Sequence, residues 1–183
     1  MSDLPELSTA RLRLRSWSRA DRVRFAAINQ DPRVTEFLPS PLTREQSDAM
    51  ADRIEARFKE RGFGLWAVEV VDTAPFIGFV GLSVPSFDAP FMPAVEVGWR
   101  LDHGYWGRGY ATEAARASLR YGFDVLGLGE IVSFTTENNV RSRRVMERIG
   151  MTRALPMASF TTVEFRSPRP RLRRFGDAVR GTA

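Results

Sequence analysis

The chain has 183 residues, 43% of them hydrophobic, which suits one domain with a substantial core. It holds no cysteine and a single histidine, His103, which excludes a disulfide framework and a thiolate metal site and argues against a histidine-based one. The formal net charge is +5, and the excess sits in Arg166, Arg169, Arg171, Arg173 and Arg174, with no acid among them.

That basic run reads as a solvated tail rather than a nucleic-acid surface, since no aromatic residues interleave its arginines. Met1 to Glu6 is polar and lacks an apolar signal core. No apolar run approaches the roughly twenty residues of a membrane span. The expectation is a cytoplasmic protein with neither membrane nor nucleic acid as a partner.

Along the chain, Arg11-Leu12-Arg13-Leu14-Arg15 alternates strictly and predicts a half-buried strand. Ser18 with Asp21 opens a helix through Val23, Ala27 and Ile28, which Asp31-Pro32 breaks. Pro39 and Pro41 bracket a loop. Thr43 with Gln46 is a capping box, and Met50, Ile54 and Phe58 mark one helix face until Gly62 stops it. Leu65 to Val71 and Phe76 to Val84 predict two strands joined by Asp72-Thr73-Ala74. Gly78 and Gly81 inside the second mark a bulge or a close approach. After the loop of Ser86 to Pro93, Val95, Val97, Trp99 and Leu101 alternate with Glu96, Gly98 and Arg100.

Next comes Tyr105-Trp106-Gly107-Arg108-Gly109-Tyr110-Ala111-Thr112-Glu113-Ala114. Beyond its two glycines, Ala111, Ala115, Leu119, Gly122 and Leu126 share a helix face, with Glu113, Arg116, Arg120 and Asp124 on the other. Strand, glycine turn and helix leave backbone N–H groups bare at the positive end of a helix, which is an anion site. Ile131 to Thr136 is another strand. Glu137-Asn138-Asn139 precedes a last helix carrying Val145, Met146 and Ile149 and stopped by Gly150. Strands and helices mix without regular alternation, so an α+β fold is expected, with a mainly antiparallel, mixed sheet and helices on both faces.

The string from Val95 to Ala114 resembles the acetyl-CoA signature of the GCN5-related N-acetyltransferases (the GNAT superfamily), whose core pattern is Arg/Gln-x-x-Gly-x-Gly/Ala. Gly109 and Ala111 fill its last two defined places, and Trp106 stands where Arg or Gln is usual. The Tyr-Trp-Gly-Arg-Gly-Tyr-Ala form is similar to the branch that acetylates ribosomal-protein N-termini at alanine or serine, and to its small-molecule relatives. The resemblance covers roughly residues 8 to 152. It implies a GNAT-like sheet whose strands at 95–101 and 131–136 splay apart, with acetyl-CoA in the gap and no metal. Relatives finish with a strand that closes the sheet. Here Leu155 to Ala183 carries Pro156, Pro168 and Pro170, and only Ser159 to Phe165 looks strand-like. One domain is expected over 8–165, with 166–183 a basic, disordered tail.

Acetyl transfer needs the cofactor held, its carbonyl polarised, an ammonium deprotonated and the leaving thiolate protonated. The backbone of Gly107, Arg108, Gly109, Tyr110, Ala111 and Thr112 would hold the pyrophosphate. By resemblance, unpaired backbone groups of Trp99, Arg100 and Leu101 would bind the acetyl carbonyl and the pantetheine amides. Glu96, between two valines on a central strand, is the candidate base, because burial raises a carboxylate's pKa; a salt bridge within the sheet is the alternative. Glu113 is a second, weaker candidate. Asn139-Val140-Arg141-Ser142 resembles the family's second motif, in which Asn139 would bond the pantetheine arm and Ser142 would donate a proton to sulfur. Many relatives carry a tyrosine where this chain has Met146. Arg144 would reach the adenosine phosphates. His103 reads as a loop residue, and Trp66, Trp99 and Trp106 as core and pocket wall.

With no cysteine to carry an acetyl group, transfer is direct. The segments Phe37 to Thr43 and Ser86 to Pro93 would choose the acceptor amine. A protein N-terminus, an aminoglycoside-like drug, a polyamine and an amino acid stay open, as does a homodimer. The alternative reading is a module that senses acetyl-CoA without turnover.

Overall fold

The computed structural model describes residues 5–87, 92–156 and 161–166, with backbone alone for 153–156 and 161–166. One sheet gathers eight strands: β1 (Leu7–Ser8), β2 (Leu12–Arg15), β3 (Leu65–Val70), β4 (Gly78–Ser83), β5 (Glu96–Leu101), β6 (Glu130–Thr135), β7 (Thr152–Pro156) and β8 (Thr161–Arg166). Their order is β1-β2-β3-β4-β5-β6-β8-β7. Every neighbouring pair is antiparallel except β5 and β6. The mixed, mostly antiparallel sheet expected from the sequence is the one found.

Helices cover both faces because the strands bury both of theirs. On one face, α4 (Tyr110–Arg120) and α5 (Val140–Arg148) set Ala114, Ala115, Leu119 and Met146 into a core with Leu12, Val68, Val80 and Val97. On the other, α1 (Asp21–Gln30) and α3 (Arg44–Arg61) pack Phe25, Ile28, Ala51 and Ile54 against Ala67, Phe76 and Phe79. The odd-numbered residues of β5 thus face α4, and the even-numbered ones face α1 and α3. The Trp17 ring stands edge-on to Phe25, 4.9 Å between centroids, and seals the second layer. Among the described residues no helix is long and apolar enough to cross a membrane.

Local chemistry sets the ends of the helices. The Thr43 hydroxyl accepts from the Gln46 N–H while the Gln46 side chain accepts from the Thr43 N–H, and Gly62 closes α3 at φ 72°. Asp31 ends α1 and caps a one-turn helix α2 (Pro32–Thr35). Beyond Arg120, α4 widens into a π turn over Tyr121–Val125, so the regular helix stops short of Leu126. Gly122 lies in that turn, where a Cβ would come 2.7 Å from Ile131 Cδ1. The strand expected within Ser159 to Phe165 is β8, described from Thr161 to Arg166, and it pairs antiparallel with both β7 and β6. The sheet is therefore closed on this side, where the prolines had pointed to an irregular end. The remainder of the basic tail, 167–183, lies outside the described residues.

The site depends on how closely β4 holds β5. Gly78 has φ 127°, and a Cβ there would sit 2.1 Å from the backbone oxygen of Arg100. We expect Gly78→Ala to cost about 3 kcal/mol or more through strain and overlap. That corresponds to a fall of roughly 6–12 °C in melting temperature for a chain of this size, measurable by calorimetry; an unchanged melting point would show that the β4–β5 contact is slack.

Candidate active site

β5 and β6 share one parallel rung. Glu96 is opposite Val132, and the Val132 N–H donates to the Val95 oxygen at 2.9 Å. Beyond it the strands separate. On the β4 side the ladder is fixed by the Asp102 N–H donating to the Ile77 oxygen, 2.8 Å. Antiparallel alternation then spends the backbone of Glu96, Gly98 and Arg100 on β4 and turns that of Trp99 and Leu101 toward the gap. The Leu101 oxygen accepts from Trp106 Nε1 at 2.9 Å. Arg100 therefore departs from expectation: its backbone pairs with Phe79, and its side chain points to the opposite helical layer.

The gap runs toward the first turn of α4. Gly107 and Gly109 hold φ 75° and 82°, the left-handed region that side chains resist. Gly109 is the N-cap, and the first helical hydrogen bond runs from the Glu113 N–H to its oxygen, 3.0 Å. The N–H groups of Tyr110, Ala111 and Thr112 have no intrahelical acceptor. A Cβ on Gly107 would meet nothing within 4 Å, so the space before these donors is open. The turn thus fits a diphosphate. Arg108 is exposed, its guanidinium 5.6 Å from the Tyr105 ring centre.

Glu113 is not free to act as a base. Its carboxylate accepts from Thr9 Oγ1 at 2.6 Å, from the Arg11 N–H at 3.0 Å and from Arg11 Nε at 2.8 Å. Burial pushes its pKa up, but these bonds and the Arg11 charge outweigh that and hold it below its ordinary value. Arg11 also donates through Nη1 to the Arg108 oxygen, 3.1 Å, and lies 4.8 Å from the Tyr110 ring centre. The sequence shows Arg11 only as the first polar residue of an alternating strand, so its hold on the anion turn was invisible there.

Glu96 is in the opposite situation. Protein crowds it on most sides, and Ser83 Oγ donates to its Oε2 at 3.2 Å. No cation pairs with it among the described residues. Burial, opposed only by that hydroxyl, pushes its carboxyl up to about 7. Of the two readings of Glu96, the salt bridge is absent among the described residues.

On α5, the Asn139 side chain caps the helix by accepting from the Ser142 N–H at 3.1 Å. Ser142 is half-buried, and its hydroxyl has no hydrogen bond among the described residues. Met146 is buried in the core. Arg144 is exposed with no ion pair among the described residues. Arg141, which sequence reasoning passed over, pairs with Glu36 and lies 4.9 Å from the Trp106 ring centre and 5.8 Å from that of Phe37. It ties α5 to the glycine turn and to the segment before α3. His103 sits in a 3₁₀ turn, 4.9 Å from the Trp106 ring, and Trp66 is wholly buried. Within Ser86 to Pro93, residues 88–91 lie outside the described ones.

Residues 11–152 match the model of the acetyltransferase (GNAT) domain. The chain is 31% identical over 152 residues to an uncharacterised protein, YkkB, of Bacillus subtilis, covering 82% of this chain and 87% of that one. It is 32% identical over 155 residues to the FsC-acetyl coenzyme A-N(2)-transacetylase of Aspergillus fumigatus, covering 81% of this chain and 65% of that one. Its fold is similar to an acetyltransferase of Agrobacterium tumefaciens, with a TM-score of 0.78, 29% identity and coverage of 91% and 97% of the two chains. The chain belongs to the GNAT acetyltransferases, which are acetyl-CoA-dependent acyltransferases.

The state of Glu96 has a consequence that needs no substrate. A carboxyl raised from 4.5 to about 7 in the folded chain favours its protonated form there. The stability it lends is complete below about pH 4.5 and is lost as pH rises through 7. We expect Glu96→Gln to melt higher than the wild type at pH 8.5, with the difference shrinking by pH 5. Parallel melting curves at both pH values would refute a raised Glu96.

Proposed function

We propose that the chain transfers the acetyl group of acetyl-CoA directly to a primary amine, with Glu96 as base. The observation that carries this reading is the gap between β5 and β6. It starts at an uncompensated carboxylate, passes the backbone of Trp99 and the N–H of Leu101, and runs toward a bare helix turn.

Each residue then has a task. N–H groups of Gly107 to Thr112 grip the diphosphate, and the Asn139 side chain steadies the arm that follows it. Backbone groups of Trp99 and Leu101 pair with that arm as an added strand would. One N–H on this edge points at the carbonyl oxygen and stabilises the charge that develops there. When bound, acetyl-CoA supplies an acetyl group already activated as a thioester. Glu96 takes the proton of the ammonium, directly or through water, and its raised pKa suits work near neutral pH. Ser142 is the hydroxyl assigned to return a proton to the sulfur, since Met146 cannot donate. Arg141 links α5 to Trp106, beside the glycine turn. A sensor without turnover would leave Glu96 or Ser142 engaged elsewhere; Glu96 has no cation and Ser142 no partner among the described residues, which favours the enzyme.

Thiol release from acetyl-CoA with a panel of amines tests this. We expect kcat/KM to rise with pH to a plateau above about 7. Glu96→Gln should lower kcat by about 10²–10⁴ and abolish that rising limb while acetyl-CoA still binds. Equal rates would remove Glu96 as base, and tight acetyl-CoA binding with no amine turned over would favour the sensor. Gly109→Val, forced out of its left-handed geometry, should weaken acetyl-CoA binding about tenfold or more by calorimetry.

A further inference from the structure

Beside the proposed base lies a second charge that the mechanism does not use. Glu96, Gly98 and Arg100 line the same face of β5, toward α1 and α3, with roughly 13 Å between the first and last Cα. A Cβ on Gly98 would meet only the Glu96 carboxyl, at 3.3 and 3.6 Å. The strip between Glu96 and Arg100 is thus unoccupied directly above β5.

Arg100 is a cation without a counter-ion. Its Nη1 donates to Asn29 Oδ1 at 2.6 Å and approaches Met50 Sδ at 3.7 Å, and its guanidinium lies 5.7 Å from the Phe79 ring centre. Asn29 is neutral and wholly buried, and its own amide is spent on Ser47 Oγ at 2.8 Å. No carboxylate pairs with Arg100 among the described residues, and burial alone pushes its pKa down to about 10. A guanidinium has five N–H donors, and the tie to Asn29 uses one. A structural strut would not require a charge held at such cost.

A cavity beside this strip, reached through Ser83 and Met50, carries exposed arginines at its edge. Met50, Arg53, Arg57 and Arg61 of α3 line this cavity of about 180 Å³ together with Ser83, the residue that bonds Glu96. Three of the five acids on the same helix are turned elsewhere: Asp48 to Arg44, Asp52 and Glu55 to Arg22. Arg53, Arg57 and Arg61 have no ion pair among the described residues.

We infer that the acceptor is a primary amine that also carries a carboxylate, its amine directed to Glu96 and its carboxylate to Arg100 or the arginines of α3. This rests on the acetyltransferase reading above and narrows its substrate class. A carboxylate matches the guanidinium fork and supplies the missing charge. A polyamine would bring further cations to these arginines.

The test compares kcat/KM for ω-amino acids with one to six methylenes, for alkylamines of matching length, and for α,ω-diamines. Tetrapeptides with Asp or Asn at the second position show whether a peptide can supply the carboxylate. We expect an amino acid of one length, or the Asp peptide, to exceed its uncharged match by about tenfold or more. Arg100→Gln should bring that ratio toward one through KM, and Arg100→Lys should retain part of it; melting curves check that both variants fold. In the wild type, amine-free carboxylates of the preferred length should compete with the acceptor and their amides should not. Turnover of alkylamines or diamines with no gain from a carboxylate overturns this inference and leaves the acetyltransferase reading standing. Turnover of no amine at all overturns both.

Discussion

β5 and β6 meet at Glu96 and Val132, share one rung, and then diverge. A continued ladder would have consumed the backbone donors and acceptors on that edge of β5. Because it stops, Trp99 keeps its groups and Leu101 its N–H turned to the gap, while the Leu101 oxygen is met by Trp106 Nε1, and the sheet acquires a slot near its middle rather than at its rim. β4 makes this tolerable: it pairs with every residue of β5 from Glu96 to Leu101, so losing β6 does not loosen the strand. The close passage of Gly78 under Arg100 belongs to the same arrangement. A site built at a parting of strands gets its rigidity from the neighbour that does not part.

Two glutamates on either side of that slot show how surroundings set a carboxylate's role. Glu113 is met by a hydroxyl, an amide and a guanidinium, so it stays ionised and serves as an anchor. Glu96 is met by one hydroxyl and is otherwise shielded from water, so it gives up its charge easily. The chain has plenty of arginine but directs little of it to Glu96. Arg100, on the same strand face, holds an asparagine, and Arg53, Arg57 and Arg61 of α3 lie beside the cavity with no ion pair among the described residues. The two helical layers therefore differ in character. The α4 and α5 side presents neutral backbone and a helix terminus, whereas the α1 and α3 side presents the Glu96 carboxyl and the Arg100 guanidinium, neither with an ion pair among the described residues.

What could be read from the sequence was what short-range chemistry decides. Thr43 with Gln46, Gly62, and the glycines at 107 and 109 each fix a local geometry within a turn or two, and each was legible. Alternation along Leu12 and Leu14, or along Val95 to Leu101, gave strands because the pleat repeats every two residues. The contacts that complete the site were hidden because they join distant segments. Nothing near Arg11 announces Glu113, and Arg141 is an unmarked place inside its motif, although it meets Trp106 and Phe37. Arg100 was misjudged because the alternation that gave the strand also decides which backbone groups face which neighbour, and that needs the register. β7 was missed since prolines argue against strands in general, yet an edge strand tolerates them.

The anchor at Glu113 also bears on the order in which the molecule matures. Thr9 and Arg11 reach it across 104 and 102 positions of sequence, so the anion turn takes its supported shape only after the two ends of a long loop have met. Closing such a loop is a slow, entropically costly event compared with winding a helix. A partly assembled chain can hold α4 and its glycines and still lack the brace that steadies them. On the proposed assignment of this turn to the diphosphate, retention of coenzyme A would report that the distant edge of the sheet has docked, and the ligand would draw the population toward that finished state by mass action.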